Sequence, residues 1–365
     1  MSDVPTRDVD PDRLRMFSFL VFSKLEGAVT SGMIHLGDRL GLYAALAASS
    51  SGLTDDELAA RTSLHPRWVR EWIRNQAAAR IIEVEFTDRH ERYGLSPEAR
   101  IVLADESHPS FGMGMFHRLP QTMNALEYLP ESFRSGLGRD YDSHGPDGAV
   151  GIERSFEPWS RSHLLPTVLP ALDGVVARLE RGARVADVGC GAGGAAIRMA
   201  AAFPASSVTG YDISRHALER AAERRRSESV ANVDFRDPRR DPLPEDGSLD
   251  LVTAFDCIHD MTHPQDVMAS IRRSLKDDGV WLLVDIKALD TFEETMAKNP
   301  MASLMYGISV MSCMSSAMSM PGGAGLGTLG LPESVARRMA ADAGFTRFRR
   351  LDIEHSLNAF YEIRP

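Results

Sequence analysis

One short segment brings together residue types that could hold a charged small molecule. Val185-Ala186-Asp187-Val188-Gly189-Cys190-Gly191-Ala192-Gly193-Gly194 runs from a strand-like apolar stretch into a glycine-rich turn and then a helical pattern. Glycines at such a turn let the backbone approach a ligand closely, and the helix start behind them offers free N–H groups. Gly189, Gly191 and Gly194 satisfy G-x-G-x-x-G, with Asp212 placed 23 residues beyond Gly189, as a dinucleotide-binding unit would have it. Asp187 separates the readings. An acid at the strand end, two positions before the first glycine, repels a pyrophosphate and attracts an ammonium, while Asp212 can accept from ribose hydroxyls. A strand-terminal acid taken singly can instead cap a helix; its coupling to the glycines and Asp212 is what makes it a site.

A second group follows the strand pattern Leu249 to Phe255, in the run Phe255-Asp256-Cys257-Ile258-His259-Asp260-Met261-Thr262-His263-Pro264. A neutral imidazole at His259 could take a proton from a hydroxyl, with Asp260 or another acid orienting the ring; left unperturbed it titrates near about 6.5. The alternative is a loop histidine satisfied by backbone carbonyls. His259 and His263 also mimic a zinc-binding HExxH with Asp260 for the glutamate. Pro264 speaks against it, because the residue before a proline avoids the helical region that such a ligand pair needs, and no metal is expected.

These residues need elements to position them. From Arg184 onward strands alternate with helices, which implies βαβ units and a parallel sheet: strands at Arg184 to Val188, Ser207 to Tyr211, Val233 to Arg236, Leu249 to Phe255 and Val280 to Ile286, then two more near Thr346 to Leu351 and Asn358 to Ile363. Ahead of them, residues 14 to 48 carry an apolar pattern at helical period, broken by glycines. Thr54 and Glu57 make a capping box, a second helix starts at Pro66, and Ile81 to Phe86 with Arg92 to Leu95 read as a hairpin: the outline of a winged helix. Arg67, Arg70 and Arg74 share one side of its second helix. Residues 52 to 106, however, hold eight arginines against eleven acids, so packing or dimerisation is expected of this segment before DNA binding.

Composition narrows the function further. Forty-one basic against fifty-one acidic residues give a net charge of -10, and splitting at residue 165 gives 18 against 24 and 23 against 27, so neither half is basic. Cys190, Cys257 and Cys313 form no CxxC pair, which argues against a disulfide framework and for a reducing cytoplasm. Asp3, Asp8, Asp10 and Asp12 stand where a secretory signal would be basic and apolar. Asn299 to Pro332 holds no charge over 34 residues but six serines interrupt it, so it reads as buried or pocket-lining and not membrane-spanning. Seven of the seventeen methionines fall between Met296 and Met320, a soft surface suited to an apolar acceptor or to core filling.

With Asp187, Gly189, Gly191 and Gly193 matching D-x-G-x-G-x-G, the sequence resembles the class I S-adenosylmethionine-dependent methyltransferases. GDRLGLYAAL (37 to 46), AFDCIHDMTHP (254 to 264) and GGAGLGTLG (322 to 330) extend the similarity to a subgroup with an N-terminal winged helix, over most of the chain from about residue 15. The resemblance implies an α/β fold: a seven-stranded Rossmann-like sheet whose last strand is antiparallel, preceded by a mostly helical winged-helix dimerisation domain. It implies that Asp187 and the glycines meet the methionine part of S-adenosyl-L-methionine, that Asp212 and Ile213 meet ribose and adenine, and that Asp237 meets the adenine amino group. Asp237 follows Phe235 by two positions where the pattern has about four, which leaves Asp241 as a rival. Phe255 and Asp256 would sit where the sulfonium faces the acceptor, and His259 would be the base.

The expected organisation is a helical and winged-helix domain over 1 to 165, dimerising and covering the substrate, and a cofactor-binding domain over 166 to 365. The expected function is methyl transfer to a small apolar or aromatic acceptor, releasing S-adenosyl-L-homocysteine, by a cytoplasmic homodimer paired through its N-terminal helices. No nucleic acid or membrane is expected as partner. Two competing readings are an enzyme that keeps the cofactor for rearrangement, decarboxylation or cyclisation, and a ligand-responsive regulator whose winged helix binds DNA.

Overall fold

The computed structural model describes residues 9–87 and 90–365. Asp3 and Asp8 of the N-terminal reading lie outside the described residues. The chain divides into two compact units that meet at Leu119 and Pro120. The sequence expectation set that division at 165; residues 120–165 belong instead to the second unit. The reason is their packing: Glu153 and Glu157 on the helix Gly145–Trp159 pair with Arg198, Arg220 and Arg224 on the helices Gly194–Ala202 and Arg215–Ser227.

In the first unit one long helix, Pro11–Arg39, starts at Asp10, whose carboxylate accepts from the Asp12 and Arg13 N–H groups. Helices Asp55–Thr62 and Pro66–Ala78 follow, the first closed by the expected Thr54–Glu57 capping box. Strands β1 (Glu83–Phe86) and β2 (Glu91–Gly94) pair antiparallel as the wing. The core of the unit gathers Ile34, Tyr43, Leu46, Leu58, Trp72, Ile73, Tyr93, Phe111 and Met113. Most of the long helix contributes nothing to it. Leu14, Phe17, Leu20, Val21, Phe22, Leu25 and Val29 are all more than half exposed on this unit. On the second helix Arg67 pairs with Glu71, Arg70 with Asp55, and Arg74 with Glu91. Acids neutralise the three arginines that would face a phosphate backbone.

The second unit is built on β3 (Arg184–Val188), β4 (Ser207–Tyr211), β5 (Val233–Arg236), β6 (Leu249–Phe255), β7 (Leu275–Ile286), β8 (Arg347–Arg350) and β9 (Asn358–Arg364). The sheet order is β5-β4-β3-β6-β7-β9-β8. Strands β3 to β7 run parallel and β9 is antiparallel to both of its neighbours, as expected from the sequence. Both faces are covered, so the inner strands read as nearly continuous apolar runs; every residue of β6 is buried. Chain order reverses between β3 and β6, and the crevice beyond the carboxyl ends of those strands is where an open α/β sheet binds its ligand. Among the described residues no helix is long and apolar enough to cross a membrane.

Candidate active site

After β3 the chain turns through Gly189 and Gly193, at φ of 69° and 76°. A side chain at either would also collide, its Cβ 2.6 Å from the Cys257 Sγ or 2.4 Å from the Phe235 ring. The turn thereby brings the Gly191 N–H to Asp212 Oδ2 at 2.8 Å, while the Ser214 N–H reaches Asp212 Oδ1 at 2.8 Å. One carboxylate clasps the loops after β3 and β4, and each oxygen keeps capacity for a further donor such as a ribose hydroxyl. Burial holds the Asp212 carboxyl above its ordinary value, opposed by the two backbone N–H groups.

Asp187 lies between these loops and is 1% exposed. The Thr253 hydroxyl donates to its Oδ1 at 2.6 Å, and its Oδ2, equally buried, has no partner in the protein. Burial pushes the Asp187 carboxyl up to about 7, the Thr253 hydrogen bond opposing this and the Asp212 charge adding to it. Folded proteins rarely leave a buried carboxylate oxygen unsatisfied. The ammonium of S-adenosyl-L-methionine is a partner of the right charge, so the residues present fit that cofactor.

After β5, Arg239 donates from Nε and Nη2 to Asp237 at 2.9 and 2.8 Å, and Nη2 also reaches the Ile213 carbonyl at 2.7 Å. The Ile213 side chain itself is exposed. Asp241, the rival, pairs with Arg236 at 2.8 Å. Arg239 therefore ties Asp237, and not Asp241, to the loop carrying Asp212 and Ile213.

The expectation for Phe255 at the end of β6 needs correction. The Phe255 ring is core: it packs 5.5 Å from Phe156 and 5.6 Å from Trp159, ring centre to ring centre, under the helix that covers this face. Trp159 in turn stacks on Phe360 and His163. Asp256 holds φ at 49°, a costly backbone state for a residue with a side chain. It accepts from the Asn358 amide, and burial with the Asp285 charge raises its carboxyl to about 7, against the pull of His259.

His259 sits in the turn Ile258–Asp260 and is 3% exposed. Its Nδ1 meets Asp285 Oδ1 at 2.6 Å, so of the acids the sequence left open, Asp260 or another, it is Asp285 at the end of β7 that orients the ring. An Nδ1–H donated to the acid leaves Nε2 as the acceptor nitrogen of the neutral ring. Burial alone would lower the imidazole, but the charge and hydrogen bond of Asp285, helped by Cys313, outweigh it and hold the ring well above 6.5. The unperturbed titration expected from sequence is thus corrected upward. The next helix begins at Pro264 with His263 outside it, so His259 and His263 share no helix.

In the uncharged stretch the helix Ala302–Ile308 widens into a π-helical turn, Ser309–Cys313, then continues as Met314–Ala317. Its buried side is Ala302, Ser309, Ser312, Ser315, Ser316 and Ala317, whereas Met296, Met301 and Met320 are exposed. Small residues are needed where backbones touch: the Gly138 N–H bonds the Met318 carbonyl at 2.9 Å, and the Arg139 N–H bonds Ser315 Oγ at 3.0 Å. Phe111 and Met113 fill the first unit's own core.

Sequence reasoning did not single out Thr253, Asp285, Asn358 or Asp142, which accepts from Ser214 Oγ at 2.6 Å beside Asp212. A signal existed for the first two: each is a polar residue inside a mainly apolar central strand, LDLVTAF, which also holds Asp250, and GVWLLVDI.

This strand order, with an acid, a glycine turn and a second acid at its crevice, defines the class I methyltransferase fold. Residues 179–321 match the family described as "Methyltransferase domain" and residues 28–105 the "Rv2258c-like winged HTH domain". It is 38% identical over 112 residues to polyketide synthase ThaQ of Burkholderia thailandensis, and 36% over 110 residues to 27-O-demethylrifamycin SV methyltransferase of Amycolatopsis mediterranei. These alignments cover 30% and 29% of this chain, and only 5% and 40% of the two relatives. Human N-acetylserotonin methyltransferase, solved with SAM, superposes with a TM-score of 0.68 at 16% identity, over 100% of this chain and 99% of that one. Mitomycin 7-O-methyltransferase gives 0.68 at 19% identity, over 97% and 99%. An O-methyltransferase from neocarzinostatin biosynthesis, solved with SAM and 2-hydroxy-5-methyl naphthoic acid, gives 0.62 at 16% identity, over 92% and 95%. At these identities the likeness to solved structures is one of fold.

Proposed function

We propose that the protein is an S-adenosyl-L-methionine-dependent methyltransferase acting on a hydroxyl of a small apolar or aromatic molecule. The observation that carries the reading is the buried, unpartnered Oδ2 of Asp187 at the end of β3, an anionic acceptor that asks for a cation. When bound, the cofactor supplies an electrophilic sulfonium methyl open to in-line displacement. Asp187 holds the ammonium and Asp212 the ribose hydroxyls, with Ile213 and Asp237 at the adenine. These contacts fix the cofactor, and most of the acceleration comes from alignment of the two reactants in a dry site. As the acceptor oxygen is methylated, its proton goes to Nε2 of His259. Asp285 stabilises the imidazolium, and the proton leaves later to solvent. Because Asp285 holds the ring protonated above its usual range, the resting base must first lose a proton, which makes turnover favour alkaline pH.

The names of the relatives support an oxygen acceptor, and the naphthoic acid bound to one structural neighbour supports an aromatic one. The paired arginines of the winged helix speak against the regulator reading. The exposed apolar face of the helix Pro11–Arg39 suits pairing with a second copy. Three unpaired cysteines suit a reducing cytoplasm. Calorimetry with S-adenosyl-L-homocysteine tests the core of the proposal: one site per chain is expected, lost or strongly weakened in Asp187→Asn. Unchanged binding in that variant, or tight NAD binding instead, overturns it.

A further inference from the structure

We propose that Thr253 is the positioning residue that makes Asp187 a selective receptor for the ammonium end of the cofactor, an inference that rests on the cofactor reading above. Strands β3 and β6 pair in parallel with Asp187 directly opposite Thr253. Side chains at matched positions of neighbouring strands lie on the same face. The Thr253 side chain, fully buried, therefore meets the Asp187 carboxylate and donates to Oδ1 at 2.6 Å. Its own remaining neighbour is the Ala186 carbonyl at 3.5 Å, so the hydroxyl proton has one good acceptor, and that acceptor is Asp187.

Two consequences follow. Occupying Oδ1 leaves Oδ2 as the Asp187 oxygen without a partner among the described residues, which fixes where on this carboxylate a cation would sit. Donation to a carboxylate also favours its charged form in a place where burial disfavours it. The other groups facing Asp187 give no such help. Asp212 is a like charge, and the Cys190 and Cys257 thiols are held neutral by burial, well above their ordinary value. Among the described residues, Thr253 is thus the side chain there that favours an ionised Asp187.

The experiment compares two ligands across pH. S-adenosyl-L-homocysteine carries the ammonium; 5′-methylthioadenosine keeps the nucleoside and thioether but has no amino-acid tail. In Thr253→Val, which keeps shape and loses the donor, S-adenosyl-L-homocysteine should bind about tenfold to a hundredfold more weakly at pH 7, the range for a hydrogen bond to a charged group. The 5′-methylthioadenosine affinity should stay within about twofold, Thr253→Ser should restore most of the loss, and the deficit should shrink towards pH 9 as Asp187 ionises without help. Thr253→Ala serves if the valine variant does not fold. Equal weakening of both ligands, a deficit independent of pH, or wild-type affinity for S-adenosyl-L-homocysteine in the variants overturns the assignment while leaving the cofactor reading intact. A wild-type protein that binds neither ligand overturns both.

Discussion

Replacing Asp285 by Asn probes the buried pair at the centre of the proposed chemistry. The Nδ1–Oδ1 separation is 2.6 Å and both side chains are almost fully buried, so the carboxylate fixes the ring's tautomer and its charge state together. An amide of the same shape keeps the packing but removes the charge. With the largest opposing influence gone, burial dominates and the imidazole falls from its raised position. The amide can also donate to Nδ1, which moves the ring proton to Nε2 and blocks the nitrogen that should accept from the acceptor. A positioned base contributes about 10²- to 10⁴-fold, equivalent to about 2.7–5.4 kcal/mol of barrier at 1.36 kcal/mol per decade. Single-turnover methyl transfer should therefore slow by at least about 10²-fold at every pH. The alkaline rise in rate should shift to lower pH, and S-adenosyl-L-homocysteine affinity should stay within about twofold, because Asp285 touches the base and not the cofactor acids. Stability should change as well. The folded pKa of His259 lies above its unfolded value, so the pair stabilises the protein fully below about 6.5 and loses that contribution as pH rises through the folded value. Removing one partner of a buried pair costs about 3–5 kcal/mol, visible as a lower Tm near pH 6. Near-wild-type single-turnover rates in Asp285→Asn, with an unchanged pH profile, would refute the base assignment and leave methyl transfer resting on alignment alone.

Cofactor affinity should itself depend on pH in the wild type. The Asp187 carboxyl is raised to about 7, and only its ionised form pairs with an ammonium, so S-adenosyl-L-homocysteine binding should weaken as pH falls below about 7, approaching tenfold per pH unit; flat calorimetric affinity between pH 5.5 and 8 contradicts this. Gly193→Ala should abolish measurable cofactor binding and lower Tm, since its φ of 76° and the Phe235 ring 2.4 Å from the new Cβ leave no room to relax. Light scattering at micromolar concentration should give the mass of two chains, and Phe17→Asp with Phe22→Asp should give one; a wild-type monomer rejects pairing through the long helix.

The glycine turn, the acids Asp187 and Asp212 beside it and the strand pattern are legible in the sequence because they are local. Asp187 and its glycines form one continuous run, and the β3, β4, β5 and β6 boundaries coincide with those read from apolar runs. A buried parallel strand must be apolar along its length, so its limits are written in composition. The capping box at Thr54 and the helix start at Pro66 are legible for the same reason: the groups that satisfy a helix end lie within a few residues of it. What surrounds those residues is not local. Thr253 reaches Asp187 across 66 positions and Asp285 reaches His259 across 26, distances that only the pairing of β3 with β6 and β6 with β7 removes. The pKa values of Asp187 and His259 depend on those partners and on burial, so no motif could supply them. Phe255 shows the same limit from the other side. Its place at a strand end suggested a ligand contact, but strand residues alternate between faces, and the helix packed on its face made it core. The sequence by itself determined which cofactor chemistry the turn can hold. Tertiary structure decided which acid meets His259, which hydroxyl meets Asp187, and which aromatic belongs to the core, because each depends on what packs against a side chain and not on what precedes it in the chain.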